Sequence, residues 1–178
     1  MSYSSLHNHS MYSLLDGYAT PKEYLERAKE IGLKAFCITE HGNAYSWCYF
    51  DKLKKDYPEV KMLYGVEFYE CFDREDKNKD SKYFHLIAIA RNERGRVALN
   101  ELITLSELYG KYYRPRVTIQ DIAPYADDLV ISSACLASKL SREPDYVKCI
   151  EYVKEYKSLF PHFYLELQAH GNNEDQDE

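Results

Sequence analysis

Short apolar runs with strand character alternate with helix-forming stretches along the chain, and residues of ligand type recur where those runs end. Residues 3–7 close on His7-Asn8-His9, two imidazoles one residue apart. Ala35–Thr39 is followed by His41, Leu129–Ser133 by Cys135, and Phe163–Gln168 by His170. Glu67 lies inside Val60–Cys71, and His85 lies early in Tyr83–Ala90. Strands alternating with helices predict parallel β/α units. In a parallel β/α barrel, strand ends and the loops after them collect at one mouth. His85 fits that rule least, because it stands at the start of its run.

The helix signals are local and mechanistic. Thr20, Pro21 and Glu23 form a capping box with proline in the first turn, and Gly32 ends the helix that begins there. Further helices are predicted over Tyr45–Tyr57 (stopped by Pro58), Arg94–Tyr109, Thr118–Tyr125 and Asp145–Phe160. Asp73–Lys82 is charged and turn-rich, and is expected to be a solvated loop.

The 178 residues suit one domain with a sizeable core. A net charge of −6 excludes the broad basic field of a protein that grips duplex DNA by itself. Bound cations could still supply positive charge at one point for a phosphorylated substrate. No run of about 18 apolar residues is present, so no membrane partner is expected, and no signal peptide is evident. Five cysteines at irregular spacings point to the reducing cytoplasm rather than to a disulfide framework. The 18 tyrosines are taken as packing and surface residues.

Each ligand-type residue taken singly has a structural reading. His85 alone is an ordinary buried histidine, Cys135 a small core residue, and Asp16 in Leu14-Leu15-Asp16-Gly17 a turn residue. Glu67 resists that treatment, because an unpaired carboxylate in an apolar strand is costly. Together the residues form a coherent donor set. Imidazole and thiolate suit zinc, and a carboxylate such as Glu67 can bridge two ions. Two ions about 4 Å apart can hold a phosphate and activate a water.

Several motifs in order carry a resemblance. Ser5-Leu6-His7-Asn8-His9-Ser10, Tyr12-Ser13-Leu14-Leu15-Asp16-Gly17, Ile38-Thr39-Glu40-His41-Gly42-Asn43 and Gly65-Val66-Glu67-Phe68-Tyr69 resemble the PHP (polymerase and histidinol phosphatase) domain. The branch they resemble is that of bacterial DNA polymerase III alpha subunits. Tyr83-Phe84-His85-Leu86, Tyr112-Tyr113-Arg114-Pro115-Arg116, Ser133-Ala134-Cys135-Leu136 and Phe163-Tyr164-Leu165-Glu166-Leu167-Gln168 extend it over residues 3–171, leaving 172–178 as an acidic tail. The resemblance implies an α/β fold, a distorted (β/α)7 barrel, holding two or three divalent metals (zinc, manganese or magnesium). By motif match His7, His9 and Glu67 are implied ligands of one ion, Glu67, His85 and Cys135 of a second, and Asp16 and His41 part of a third. Glu40 stands where the family usually has aspartate. Similar domains continue to an Asp-x-His motif that this sequence lacks, so the barrel is expected to lack its C-terminal strands.

The implied activity is metal-dependent phosphoester hydrolysis, or 3′–5′ exonuclease proofreading in DNA replication. Its partners would be single-stranded DNA or another phosphate ester, together with the rest of the polymerase and other replisome subunits. Arg114 and Arg116 are candidate phosphate contacts. The alternatives are a standalone small-molecule phosphatase of the histidinol-phosphatase type and a non-catalytic scaffold.

Overall fold

The computed structural model describes residues 3–78, 80 and 83–168; His170 and the 172–178 tail lie outside them. The helices are α1 (Pro21–Glu30), α2 (Trp47–Lys52), α3 (Glu93–Tyr109), α4 (Ile119–Ile122) and α5 (Tyr146–Leu159). The strands are β1 (Ala35–His41), β2 (Lys61–Glu70), β3 (Phe84–Ala90), β4 (Lys111–Tyr112), β5 (Arg114–Val117), β6 (Leu129–Ser132) and β7 (Phe163–Tyr164). The Thr20 hydroxyl accepts from the Glu23 amide while the Glu23 carboxylate accepts from the Thr20 amide, so the expected capping box is formed. Gly32 then turns the chain at a φ of +72°. The helix expected over Tyr45–Tyr57 is shorter: after α2 the chain tightens into a 3-10 turn at Leu53–Lys55.

All seven strands join one mixed sheet in the order β4-β5-β2-β3-β6-β7, with β1 also paired to β2. β1, β2, β6 and β7 run one way, but β3 is antiparallel to both β2 and β6. This corrects the expectation of uniformly parallel units. No helix separates β2 from β3, only the charged loop, and a strand that returns without a crossover must pair antiparallel. The opening segment is extended rather than a full strand. It forms a single bridge, Ser5 to Phe36, supported by Cys37 N donating to Ser5 O at 2.8 Å. β7 is likewise shorter than the run expected over residues 163–168.

Alternation along the strands divides the molecule. On one face Phe36, Val66, Phe68, Leu86 and Ile131 bury against helix residues including Leu25, Phe50, Leu99 and Ile122. Each such side chain stabilises the fold by about 2 kcal/mol of apolar transfer. The other face carries a smaller apolar cluster of Cys37, Ile87, Ile89 and Ala134, packed with Leu63 and Val130. His41, Glu67 and His85 share that second face, displaced toward one rim of the curled sheet. β7, at one end of the sheet, and the opening segment beside β1 flank a cavity of about 680 Å3.

Candidate metal centre

Glu67 is the hub. Only 1% of its side chain is exposed, and its carboxylate lies 3.4 Å from His7 Nε2, 3.1 Å from His9 Nε2, 2.6 Å from His41 Nδ1 and 2.9 Å from His85 Nδ1. Cys135 Sγ lies 3.8 Å from Glu67 Oε1 and 3.6 Å from His85 Nδ1. Asp16 Oδ2 lies 2.8 Å from His41 Nε2 and 4.0 Å from His9 Nε2. The structure therefore gathers His7, His9, Asp16, His41, Glu67, His85 and Cys135 at one rim. Three groups have donor atoms all within 4.8 Å of one another: His7, His9 and Glu67; His9, Asp16 and His41; and His41, Glu67 and His85.

Local contacts explain why these side chains converge. Asn8 turns away between the two histidines: its side chain donates to Cys37 O at 2.8 Å, and its amide donates to Thr39 Oγ1 at 2.9 Å. Its neighbours His7 and His9 are thereby turned toward Glu67. Gly42 ends β1 at a φ of +62°, where a Cβ would meet the Pro115 ring at 2.9 Å. β3 runs backward, so His85 at its beginning reaches the rim where β1 and β2 end.

The electrostatics suit a cation. Burial disfavours the charged form of His7, but Glu166 and Glu67 outweigh it and push its pKa up to about 10. His85 is pushed up to about 9 against the same opposing effect of burial, by Cys135 and Glu67. His41 is raised too, by Glu67 and Asp16. Burial works to raise the Glu67 pKa, yet the imidazoles around it hold its carboxyl far below the usual carboxylate range. His41 Nδ1 and Glu67 Oε2 are buried and without a hydrogen bond despite their 2.6 Å separation. Buried ligand-type atoms left without a hydrogen bond are costly; a cation bound by both would satisfy them, and the surrounding imidazoles, carboxylates and thiol are the donors that zinc or manganese accepts. The residues fit a metal.

Beside this cluster is a cavity of about 590 Å3 lined by Asp16, His41, Tyr69, His85, Tyr113 and Arg114. The Arg114 guanidinium stacks over the Tyr69 ring at 5.4 Å. Arg116, the other candidate phosphate contact, is a correction. It is fully buried, and its guanidinium donates to the backbone carbonyls of Gly110, Arg74 and Asp76 at 3.2, 2.9 and 2.7 Å. It ties the charged loop to β5 and cannot reach a substrate.

Two carboxylates escaped the sequence reading of the site. Glu40 is completely buried and accepts from the Ser10 and Ser13 hydroxyls and from the Ser10 amide, which pins the loop between His9 and Asp16. An acid inside an apolar strand was a usable signal, as it was for Glu67. Glu166 accepts behind His7 at 2.7 Å, and nothing local in sequence marks that contact.

A curled mixed sheet with imidazoles, carboxylates and a thiol converging at one rim defines a metal-centre protein of the β/α class. The chain belongs to the PHP domain family, whose profile matches residues 5–170. Among its relatives is the DNA polymerase III subunit alpha of Treponema pallidum, 34% identical over 190 residues, covering 99% of this chain and 16% of that protein. The subunit alpha of Aquifex aeolicus is 35% identical over 180 residues, covering 93% of this chain and 15% of that protein. The chain thus spans about one-sixth of the length of the curated relatives it matches. Among solved structures, a candidate metal-dependent phosphoesterase from Bifidobacterium adolescentis aligns with a TM-score of 0.41 and 21% identity over 58% of this chain and 32% of that one. Among the described residues no helix is long and apolar enough to cross a membrane.

Proposed function

We propose that this domain is a divalent-metal-dependent phosphoesterase acting on the 3′ end of single-stranded DNA, within a replicative polymerase of the DNA polymerase III alpha type. The observation that carries the proposal is the buried Glu67 carboxylate in contact with four imidazoles, two of which, His41 and His85, line the cavity of about 590 Å3. His7, His9 and Glu67 would hold one ion. Glu67, His85 and Cys135 would hold a second, with zinc the natural choice for a site containing thiolate. Asp16 and His41 would contribute to a third.

When bound, such ions supply positive charge to a phosphate and lower the pKa of a water. The rest falls to the chain. Glu67 and the histidines hold their donor atoms in place and carry no proton in the reaction. Arg114, which lines the cavity, would donate charge-assisted hydrogen bonds to a phosphate oxygen. Tyr69 fixes that guanidinium from below. The domain would work in the cytoplasm beside the remaining polymerase and replisome subunits.

The test pairs metal content with hydrolysis. Purified protein and Glu67→Gln are assayed with Mn²⁺ or Zn²⁺ on a 5′-labelled single-stranded oligonucleotide and on a phosphomonoester. Stepwise shortening from the 3′ end by the wild type alone supports the proposal. Hydrolysis of the monoester without the oligonucleotide would assign a small-molecule phosphatase instead. No hydrolysis and no thermal shift on adding either metal would leave a scaffold domain.

A further inference from the structure

The two ring nitrogens of His7 have different surroundings. Nε2 faces the donor cluster, 3.4 Å from Glu67 Oε1 and 3.1 Å from His9 Nε2. Nδ1 faces the opposite way and lies 2.7 Å from Glu166 Oε1. Glu166 does not itself enter the cluster. Its Oε1 also accepts from Gln168 Nε2 at 2.7 Å, and its Oε2 accepts from Ser132 Oγ at 2.7 Å. Its amide donates to Ser133 Oγ at 2.9 Å. The carboxylate is thus held by the end of β6 and by its own segment, and aimed at the back of His7.

We propose that Glu166 is a positioning residue for the metal centre, accepting the Nδ1 proton of His7 so that Nε2 is fixed as the ligating nitrogen. The inference rests on the metal-centre reading above. A neutral imidazole has one proton for two nitrogens, and only one of the two tautomers can present Nε2 as a donor. A carboxylate on the far nitrogen selects that tautomer, stops ring rotation and makes Nε2 more basic. No other described carboxylate is within hydrogen-bonding distance of His7 Nδ1.

The placement in the fold adds a second consequence. Glu166 follows β7 at one end of the sheet, and His7 lies in the segment bridged to β1, which branches from β2. Their contact joins β7 to the β1 branch at the metal rim, beside the cavity of about 680 Å3 that both segments line. Docking of residues 163–168 therefore sets the affinity of the His7, His9 and Glu67 subsite. His41, His85 and Cys135 make no contact with Glu166, so their affinity for metal is independent of it.

The experiment is a zinc titration of the whole chain against a chromophoric chelator, with wild type, Glu166→Gln, Ser132→Ala and Gln168→Ala. Imidazole nitrogen shifts of the zinc-loaded protein are recorded by long-range 1H–15N correlation. In Glu166→Gln the Kd of one ion should rise about 10- to 100-fold while the others hold. The His7 signals should change from a single Nε2-coordinated, Nδ1–H form to a mixture of coordinated and free imidazole. Ser132→Ala, which loosens the carboxylate but keeps its charge, should give a smaller shift in the same direction, and it serves if Glu166→Gln does not fold. Gln168→Ala removes a donor to Glu166 Oε1 that also lies 3.2 Å from His7 Nδ1, and should give a small shift like that of Ser132→Ala. Unchanged affinity and unchanged His7 signals in Glu166→Gln, or in Ser132→Ala should Glu166→Gln not fold, would overturn the positioning role. A wild type that binds no zinc or manganese fails earlier, and removes the metal centre itself.

Discussion

His85 Nδ1 lies 2.9 Å from Glu67 Oε1, although His85 opens β3 and Glu67 stands near the end of β2. The reversal of β3 makes this possible. His85 pairs with Tyr69 in register, and Glu67 is two residues away on the same face. A position that fits a parallel barrel poorly is thus the one an antiparallel strand requires.

The hub carboxylate is the first target. Glu67→Gln keeps the shape and removes the charge shared by four imidazoles. Bound metal measured by elemental analysis should fall to background, and so should hydrolysis. In chelator the variant should also be less stable to urea by about 3 kcal/mol, since the buried imidazoles lose their counter-charge. Retention of a full metal complement would dismiss Glu67 as the bridge.

The cysteines should separate cleanly. Cys135 Sγ sits 3.6 Å from His85 Nδ1, whereas Cys37 is completely buried in the apolar face with its thiol pKa raised by burial. Cys135→Ala should lose about one equivalent of zinc, and Cys37→Ala should lose none. Equal zinc in wild type and Cys135→Ala would take the thiol out of the site.

The pH response has a definite sign. In the metal-free protein His7 and His85 titrate near 10 and 9, above the value of about 6.5 of an unfolded chain. Their stabilisation is therefore complete below about pH 6.5 and is lost as pH rises through 9 to 10. Melting temperature in EDTA should fall across that window. Metal competes with the same protons, so manganese affinity should instead strengthen between pH 6 and 9. A melting temperature in EDTA that stays level to pH 10 contradicts the first half, and a pH-independent manganese Kd contradicts the second.

The two arginines of the β5 strand should part company. Arg116→Ala leaves one buried and two half-buried carbonyls without their donor and should cost about 3 kcal/mol in chemical denaturation. Arg114→Ala should stay within about 0.5 kcal/mol of wild type, while its KM for oligonucleotide rises about tenfold. The reverse pattern would place the phosphate contact elsewhere.

Much of the molecule is legible before folding. The capping box at Thr20 and Glu23, the Gly32 stop, the apolar runs at Ala35 and Leu129 and the amphipathic helix α3 depend on neighbours within a few residues. The ligand-type residues stand out because chemistry restricts them: a carboxylate inside an apolar strand, as at Glu67, has few purely structural uses. Arg116 was misjudged because a guanidinium in an exposed-looking Tyr-Arg-Pro-Arg run gives no sign that it will be enclosed by a loop from residues 74 and 76.

Composition and local spacing determine, without coordinates, that this chain makes strands and helices in alternation and carries donor atoms for a cation. Tertiary structure alone decides that β3 runs backward, that Glu40 clamps the serine loop, and that Glu166 meets His7 across 159 residues. The physical reason is range. Caps and periodicity are settled by hydrogen bonds and packing between near neighbours, whereas strand direction and carboxylate partners depend on which distant backbones pair, and on the loop that lets them.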